Sequence, residues 1–139
     1  RLDRFFGAWG REYSPDYTPG ETGLDRFIDW TKDTPFIGRK PAEAERDRPP
    51  ERMLVPFEVT TDDADVHAYE PLWIDGTVQG FCTSGGYSHH AGKSVALALV
   101  PRAEVGPGLQ AEIEILGKMC PAVMLSEPLL DPGRARITN

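Results

Sequence analysis

One carboxylate in this chain sits where the backbone would hold it still. Glu21 follows Thr18-Pro19-Gly20 and precedes Thr22-Gly23, with Tyr13 and Tyr17 upstream. A carboxylate fixed at such a corner can accept two parallel N–H bonds from a planar aminopyrimidine, the arrangement that makes bidentate pairs strong. An acid is also stabilised in the first turn of a helix by the helix dipole. The residues alone leave both roles open for Glu21.

The other chemically capable residues point to less. His89 and His90 are adjacent, and neighbours on a strand face opposite sides, so the pair does not chelate one metal. No Cys, Asp or Glu close in sequence completes a ligand set, and no metal is expected. Ser84 precedes Gly85-Gly86, but a nucleophile elbow needs Gly-x-Ser-x-Gly between a strand and a helix. The glycines also lack the Lys and the spacing of a phosphate loop. Cys82 and Cys120 lie among apolar residues and read as buried thiols in a reducing compartment.

The elements around these residues fall into two halves. Leu2, Phe5, Phe6 and Trp9 have the spacing of one helix face and predict a helix ending near Gly10. Tyr13 to Gly20 is a loop, a short helix opens at Glu21 or Thr22, and a polar helix runs from about Pro41 to Arg48. Pro49-Pro50 breaks it. The period then changes to that of strands: Met53–Thr60, Ala68–Ile74, Thr77–Ser84, Ser94–Val100, Leu109–Leu116 and Met119–Leu125. Asp75-Gly76 suits a tight hairpin turn. Gly85-Gly86 predicts a loop whose backbone approaches another group closely. Six short strands with frequent turns predict a small antiparallel barrel over 51–139, preceded by a helical and loop tail over 1–50, an α+β chain that is mostly β.

Composition narrows the function. The 139 residues are 40% hydrophobic and 27% charged, with a net charge of −7. The charge is uneven: ten basic residues against eleven acidic through Arg52, then five against eleven. An acidic second half lacks the footprint of phosphate-backbone binding, so nucleic acid is not an expected partner. No apolar run approaches the roughly 20 residues of a membrane span. A chain that opens on Arg1 in a helical pattern is expected to be a fragment or a processed product.

Several motifs carry a resemblance. Arg1-Leu2-Asp3, Ala8-Trp9-Gly10-Arg11-Glu12 and Ser14 to Glu21 resemble the end of the folate-binding module of the glycine-cleavage T-protein (aminomethyltransferase) family. So does the turn Phe36-Ile37-Gly38-Arg39. Thr83 to Tyr87, Gly92-Lys93-Ser94 and Ala96-Leu97-Ala98 resemble its C-terminal barrel, and Glu127-Pro128-Leu129 with Asp131-Pro132 resembles its closing segment. Within the family, the Ala-Trp-Gly-Arg-Glu and Gly-Gly-Tyr-x-His forms look most like dimethylglycine and sarcosine dehydrogenases.

The resemblance implies a module that holds tetrahydrofolate while it captures a one-carbon unit from a methylated amine. It implies that residues 1–50 end the folate-binding domain and that 51–139 form the barrel. Glu21 matches the family's pterin-binding glutamate, and Arg39, Arg52 and Tyr87 are further candidate folate contacts. The family's catalytic aspartate and the FAD of the dehydrogenases belong to parts outside this chain. Those parts, on the same polypeptide or a separate subunit, are the expected partners. No catalytic residue and no independent turnover are expected here. The expected location is cytoplasmic, or the mitochondrial matrix in a eukaryote. The competing expectation is a structural or interaction barrel that touches no ligand.

Overall fold

A computed structural model of the chain describes residues 1–133, 135 and 136. Its frame is a closed antiparallel barrel of β1 (Arg52–Val59), β2 (Pro71–Ile74), β3 (Thr77–Ser88), β4 (Lys93–Pro101), β5 (Gln110–Ile115) and β6 (Lys118–Met124), in the circular order β1-β4-β3-β2-β5-β6. Closure removes sheet edges, which otherwise invite pairing with other chains. Inside lie Val55, Phe57, Leu72, Ile74, Cys82, Ala96, Ala98, Val100, Ile113 and Ile115, all buried. Large residues on β1, β2 and β5 face small ones on β4, which is how a narrow barrel fills without voids.

Turn chemistry matches the hairpins. Asp75 and Gly76 have φ of 49° and 73°, the positive pair a tight β2–β3 turn requires. Leu116 and Gly117 do the same between β5 and β6, with φ of 50° and 79°. Pro56 sits inside β1, where a missing N–H would normally break a ladder. Its ladder to β6 begins only at Phe57, and the Pro56 carbonyl still accepts from Leu125 N.

The expected glycine loop is a strand. β3 runs through Gly85 and Gly86 to Ser88, so His89 and His90 lie in the β3–β4 turn rather than on a strand. The close approach expected there does occur. A Cβ at Gly85 would stand 2.3 Å from the Val66 carbonyl oxygen, because the segment bearing Val66 lies across the strand and caps the barrel. A strand glycine marks such a site.

Residues 1–50 wrap the outer face. β4 is buried on both sides: Ala96 and Ala98 point into the core, while Val95, Leu97 and Leu99 point outward and are equally covered. The 3-10 turn at Leu2–Arg4 packs on β3 and β4 there. The helix expected over Leu2–Trp9 stops at this single turn, with Phe5 at φ 56° and Trp9 86% exposed. Backbone groups beyond it bond to Glu12 and Tyr13 instead. The next helix, α1 (Pro19–Thr22), starts earlier than expected and ends at Gly23, φ 70°. The polar helix, α2 (Arg39–Asp47), starts two residues before Pro41, whose missing N–H falls in the unbonded first turn.

Candidate functional site

Glu21 is held from two directions. Thr18 caps α1, its hydroxyl accepting from Glu21 N at 3.2 Å. Pro19 fills the first helical position. In return, Glu21 Oε2 accepts from Thr18 N at 2.9 Å and lies 3.4 Å from its hydroxyl. This reciprocal capping box satisfies two orphan groups at once. The other oxygen, Oε1, accepts from Arg52 Nε at 2.9 Å and Nη2 at 2.7 Å. Of the two roles open in the sequence, the structure shows the helix start; Oε1 of the same carboxylate is occupied by a planar donor fork, that of Arg52.

The surroundings fix this carboxylate. Gly20 N donates to Glu45 of α2 at 3.0 Å, and Gly20 O accepts from Arg102 at 2.9 Å. Arg102 also donates to Pro50 O at 2.8 Å, tying α1 to the linker and the end of β4. The Glu21 side chain is 9% exposed and that of Arg52 47%. The Arg52 guanidinium lies 5.8 Å from the Tyr17 ring centre. Burial, with Tyr69 as a second cause, raises the Tyr17 hydroxyl above its ordinary pKa.

Arg39 and Tyr87 stand apart from this pair. Arg39 donates to Glu43 at 2.8 Å and to Lys32 O at 2.6 Å, and its guanidinium lies 6.0 Å from the Phe36 ring centre. These contacts set the turn into α2. Tyr87 is opposite Ser94, which also pairs with Val59, whereas Arg52 pairs with Pro101 at the other end of β4. Seven residue steps along β4 separate the two ends, about 23 Å at 3.3 Å per residue. A single pterin on Glu21 does not span that distance. Tyr87 is half-exposed, packs edge-on against His89 at 5.0 Å, and lines an open cavity of about 420 Å³ with Asp62, Asp63, Asp65 and Lys93.

A second polar cluster has no local signature in the sequence. Glu12, 1% exposed, accepts from the Ser84 hydroxyl and from Ala8 N at 2.8 Å, and lies 3.8 Å from Arg1 Nη1. Arg1 Nη2 donates to Ser84 Oγ at 2.8 Å. Four residues along β3, the Ser88 hydroxyl donates to Asp3. Burial alone would raise the Glu12 pKa, but hydrogen bonds from Ser84, Thr83 and Ala8 outweigh it and hold the carboxyl below its ordinary value. The Ser88 bond lowers Asp3 likewise, against a smaller opposing effect of burial. Ser84, Gly86 and Ser88 give β3 a row of small residues on its outer face, the one hint that another segment lies close. This seam binds the first residues to the barrel. Ser84 has a carboxylate and a guanidinium for partners and no histidine base, so it is no nucleophile.

Both cysteines are free and buried, and burial together with the Glu70 charge pushes the Cys82 thiol up to about 12. No helix among the described residues is long and apolar enough to cross a membrane.

Comparison with known proteins agrees with this architecture. Residues 52–131 match the glycine cleavage T-protein C-terminal barrel domain. The chain is 41% identical over 139 residues to mouse mitochondrial dimethylglycine dehydrogenase, covering 99% of this chain and 16% of that protein. It is 31% identical over 128 residues to an aminomethyltransferase of Saccharopolyspora erythraea, covering 92% of this chain and 35% of that one. The crystal structure of the glycine cleavage system aminomethyltransferase T from Bartonella henselae superposes with a TM-score of 0.86 at 25% identity, over 95% of this chain and 37% of that one. The chain thus spans only a minor part of the relatives it matches. By its barrel and this match, the chain belongs to the glycine cleavage T-protein C-terminal barrel family.

Proposed function

We propose that the chain is the C-terminal portion of a tetrahydrofolate-dependent one-carbon-transferring enzyme of the dimethylglycine or sarcosine dehydrogenase type. The observation that carries this reading is the 41% identity to a dimethylglycine dehydrogenase along essentially the whole chain, including residues 1–51 outside the barrel match. Residues 1–50 complete the folate-binding part, and the barrel packs against it. FAD and the methylated amine are held by parts of the parent protein outside this chain, which are its partners. In a eukaryote the setting is the mitochondrial matrix; the names of the mammalian relatives carry the word mitochondrial, which supports this reading.

Glu21 fits tetrahydrofolate on the geometry of its own ion pair. Oε1 already takes two N–H donors from one planar group, and the edge of a 2-aminopyrimidin-4-one offers the same pattern. When bound, the folate supplies the nitrogens that capture the one-carbon unit. The chain's part is to orient the ring and shield the transfer from water. Arg52 is the second contact. Arg39 and Tyr87 act on the ring only indirectly, since their own partners lie elsewhere.

A flavin-free aminomethyltransferase or demethylase is the second reading, favoured by the 31% relatives and the structural neighbour. Assay of the intact protein with dimethylglycine and with sarcosine, with and without tetrahydrofolate, separates them. Amine oxidation whose one-carbon product shifts from free formaldehyde to methylenetetrahydrofolate supports the dehydrogenase. No amine oxidation refutes it.

A further inference from the structure

We propose that the stretch from Asp25 to Ile37 is a docking face, and that its occupant is an apolar surface of the part of the parent protein that precedes this chain. The inference rests on the proposed function, in which the chain is a C-terminal portion. Mouse dimethylglycine dehydrogenase is matched over only 16% of its length, so most of such a protein lies outside these residues.

The face is apolar and uncovered. No residue from Thr22 to Pro50 is buried, although Leu24, Phe27, Ile28, Trp30, Phe36 and Ile37 all lie there. Phe27 is 64% exposed, Phe36 40%, and Ile37 entirely. A lone apolar side chain in water, such as Leu116 at its hairpin tip, is ordinary. On this stretch they adjoin: Phe27, Ile28, Pro35 and Phe36 line one open groove of about 360 Å³. Arg26, next to Phe27, lines a second hollow with Phe5, Phe6 and Pro128. The rings are also steadied. The Arg26 guanidinium lies 5.0 Å from the Phe27 ring centre, and that of Arg39 lies 6.0 Å from the Phe36 ring centre. A face already in place loses little further freedom when it is covered. A segment ordered without burial, left in water, has nothing to offset its lost entropy.

Position favours the preceding part over a second copy. Phe5 and Phe6 lie close after Arg1 in sequence and share the second hollow with Arg26. On the proposed reading the preceding segment joins at Arg1 and so arrives beside this face. Tethering of that kind gives a high effective concentration without any new contact.

Hydroxyl-radical footprinting of the intact parent protein, read by mass spectrometry, tests this. Each side chain is compared with one of its own type, which has the same intrinsic reactivity. Ile37 is expected to oxidise as slowly as Ile113, and Phe27 and Phe36 as slowly as Phe57, both references being buried in the barrel. Oxidation of these three side chains near the rates found in urea overturns the proposal. So does protection that disappears when the protein is diluted to a monomer, which makes the occupant a second copy. Ile37→Asp in the intact protein is expected to lower the melting temperature by several degrees and to open Phe27 and Phe36 to oxidation, because it sets an unpaired charge in a covered apolar face. An unchanged melt with unchanged footprints also overturns the proposal, and if the variant does not fold, the parent's footprints decide. Amine oxidation by a protein whose Phe27, Phe36 and Ile37 stay open refutes this inference alone. Covered side chains without amine oxidation refute the dehydrogenase reading alone.

Discussion

Replacing Glu12 tests whether the buried seam, rather than apolar contact alone, holds the first residues to the barrel. The carboxylate is 1% exposed and accepts two charge-assisted bonds, from Ser84 and Ala8 N. Such bonds contribute about 1.5–3 kcal/mol each, and an orphaned buried donor costs a similar amount. Glu12→Ala leaves the Ser84 hydroxyl and Ala8 N without their acceptor and removes the carboxylate beside Arg1, so it is expected to cost about 3–5 kcal/mol. Glu12→Gln keeps the shape and loses the charge, for about 1–2 kcal/mol. Urea unfolding of the chain followed by circular dichroism measures both. The acid limb gives a second check. The folded carboxyl titrates below its ordinary value of 4.5. A depressed pKa means the contribution is complete above that value and is lost as pH falls through the lower, folded pKa. The parent should therefore lose stability below about pH 4.5 more steeply than Glu12→Gln. If Glu12→Ala costs under about 1 kcal/mol and the acid limbs coincide, the seam does not hold the segment.

Other substitutions probe the barrel. Leu116 holds φ 50° with its side chain 85% exposed. Leu116→Asn should raise stability by about 0.5–1 kcal/mol, read as a higher melting temperature, because Asn tolerates that turn conformation at little cost. Gly85→Ala meets the Val66 backbone and should lower stability by about 1–3 kcal/mol in the same melt. Cys82, 0% exposed with its thiol pushed up to about 12, should react with a thiol reagent at pH 8 only at the rate of unfolding, read by mass spectrometry in a urea series. On the proposed function, which assigns catalysis to parts of the parent protein outside this chain, the isolated 139-residue chain should show no turnover with a methylamine donor and tetrahydrofolate.

The barrel was legible because strands announce themselves locally. Gln110 to Ile115 alternates so cleanly that its face could be assigned before any partner was known, and Asp75-Gly76 fixed a hairpin by turn chemistry. The capping box was half legible, since Thr18 and Glu21 carry its spacing. The ion pair of Glu21 with Arg52, 31 residues on, exists only through the fold. Where the reading failed, a distant contact decided. Gly85 and Gly86 look like a loop until Val66 is laid across them. Leu2 to Trp9 has a helical period, yet Glu12 draws that backbone into a loop because its own partner, Ser84, is 72 residues away. Periodicity describes an element's faces and says nothing about a polar partner in another part of the chain.

The circular strand order carries a kinetic consequence. Ile74↔Thr77, Ser88↔Lys93 and Ile115↔Lys118 close short loops, so three of the hairpins can assemble from neighbours in sequence. β1 has no such neighbour: Phe57 must find Ala96 on one side and Met124 on the other. Loop-closure entropy therefore falls mainly on β1, the first strand made and the last able to complete its pairing. Until synthesis passes residue 124, Phe57 and its apolar neighbours have nowhere to finish docking, which makes this strand the segment most in need of shelter on the ribosome.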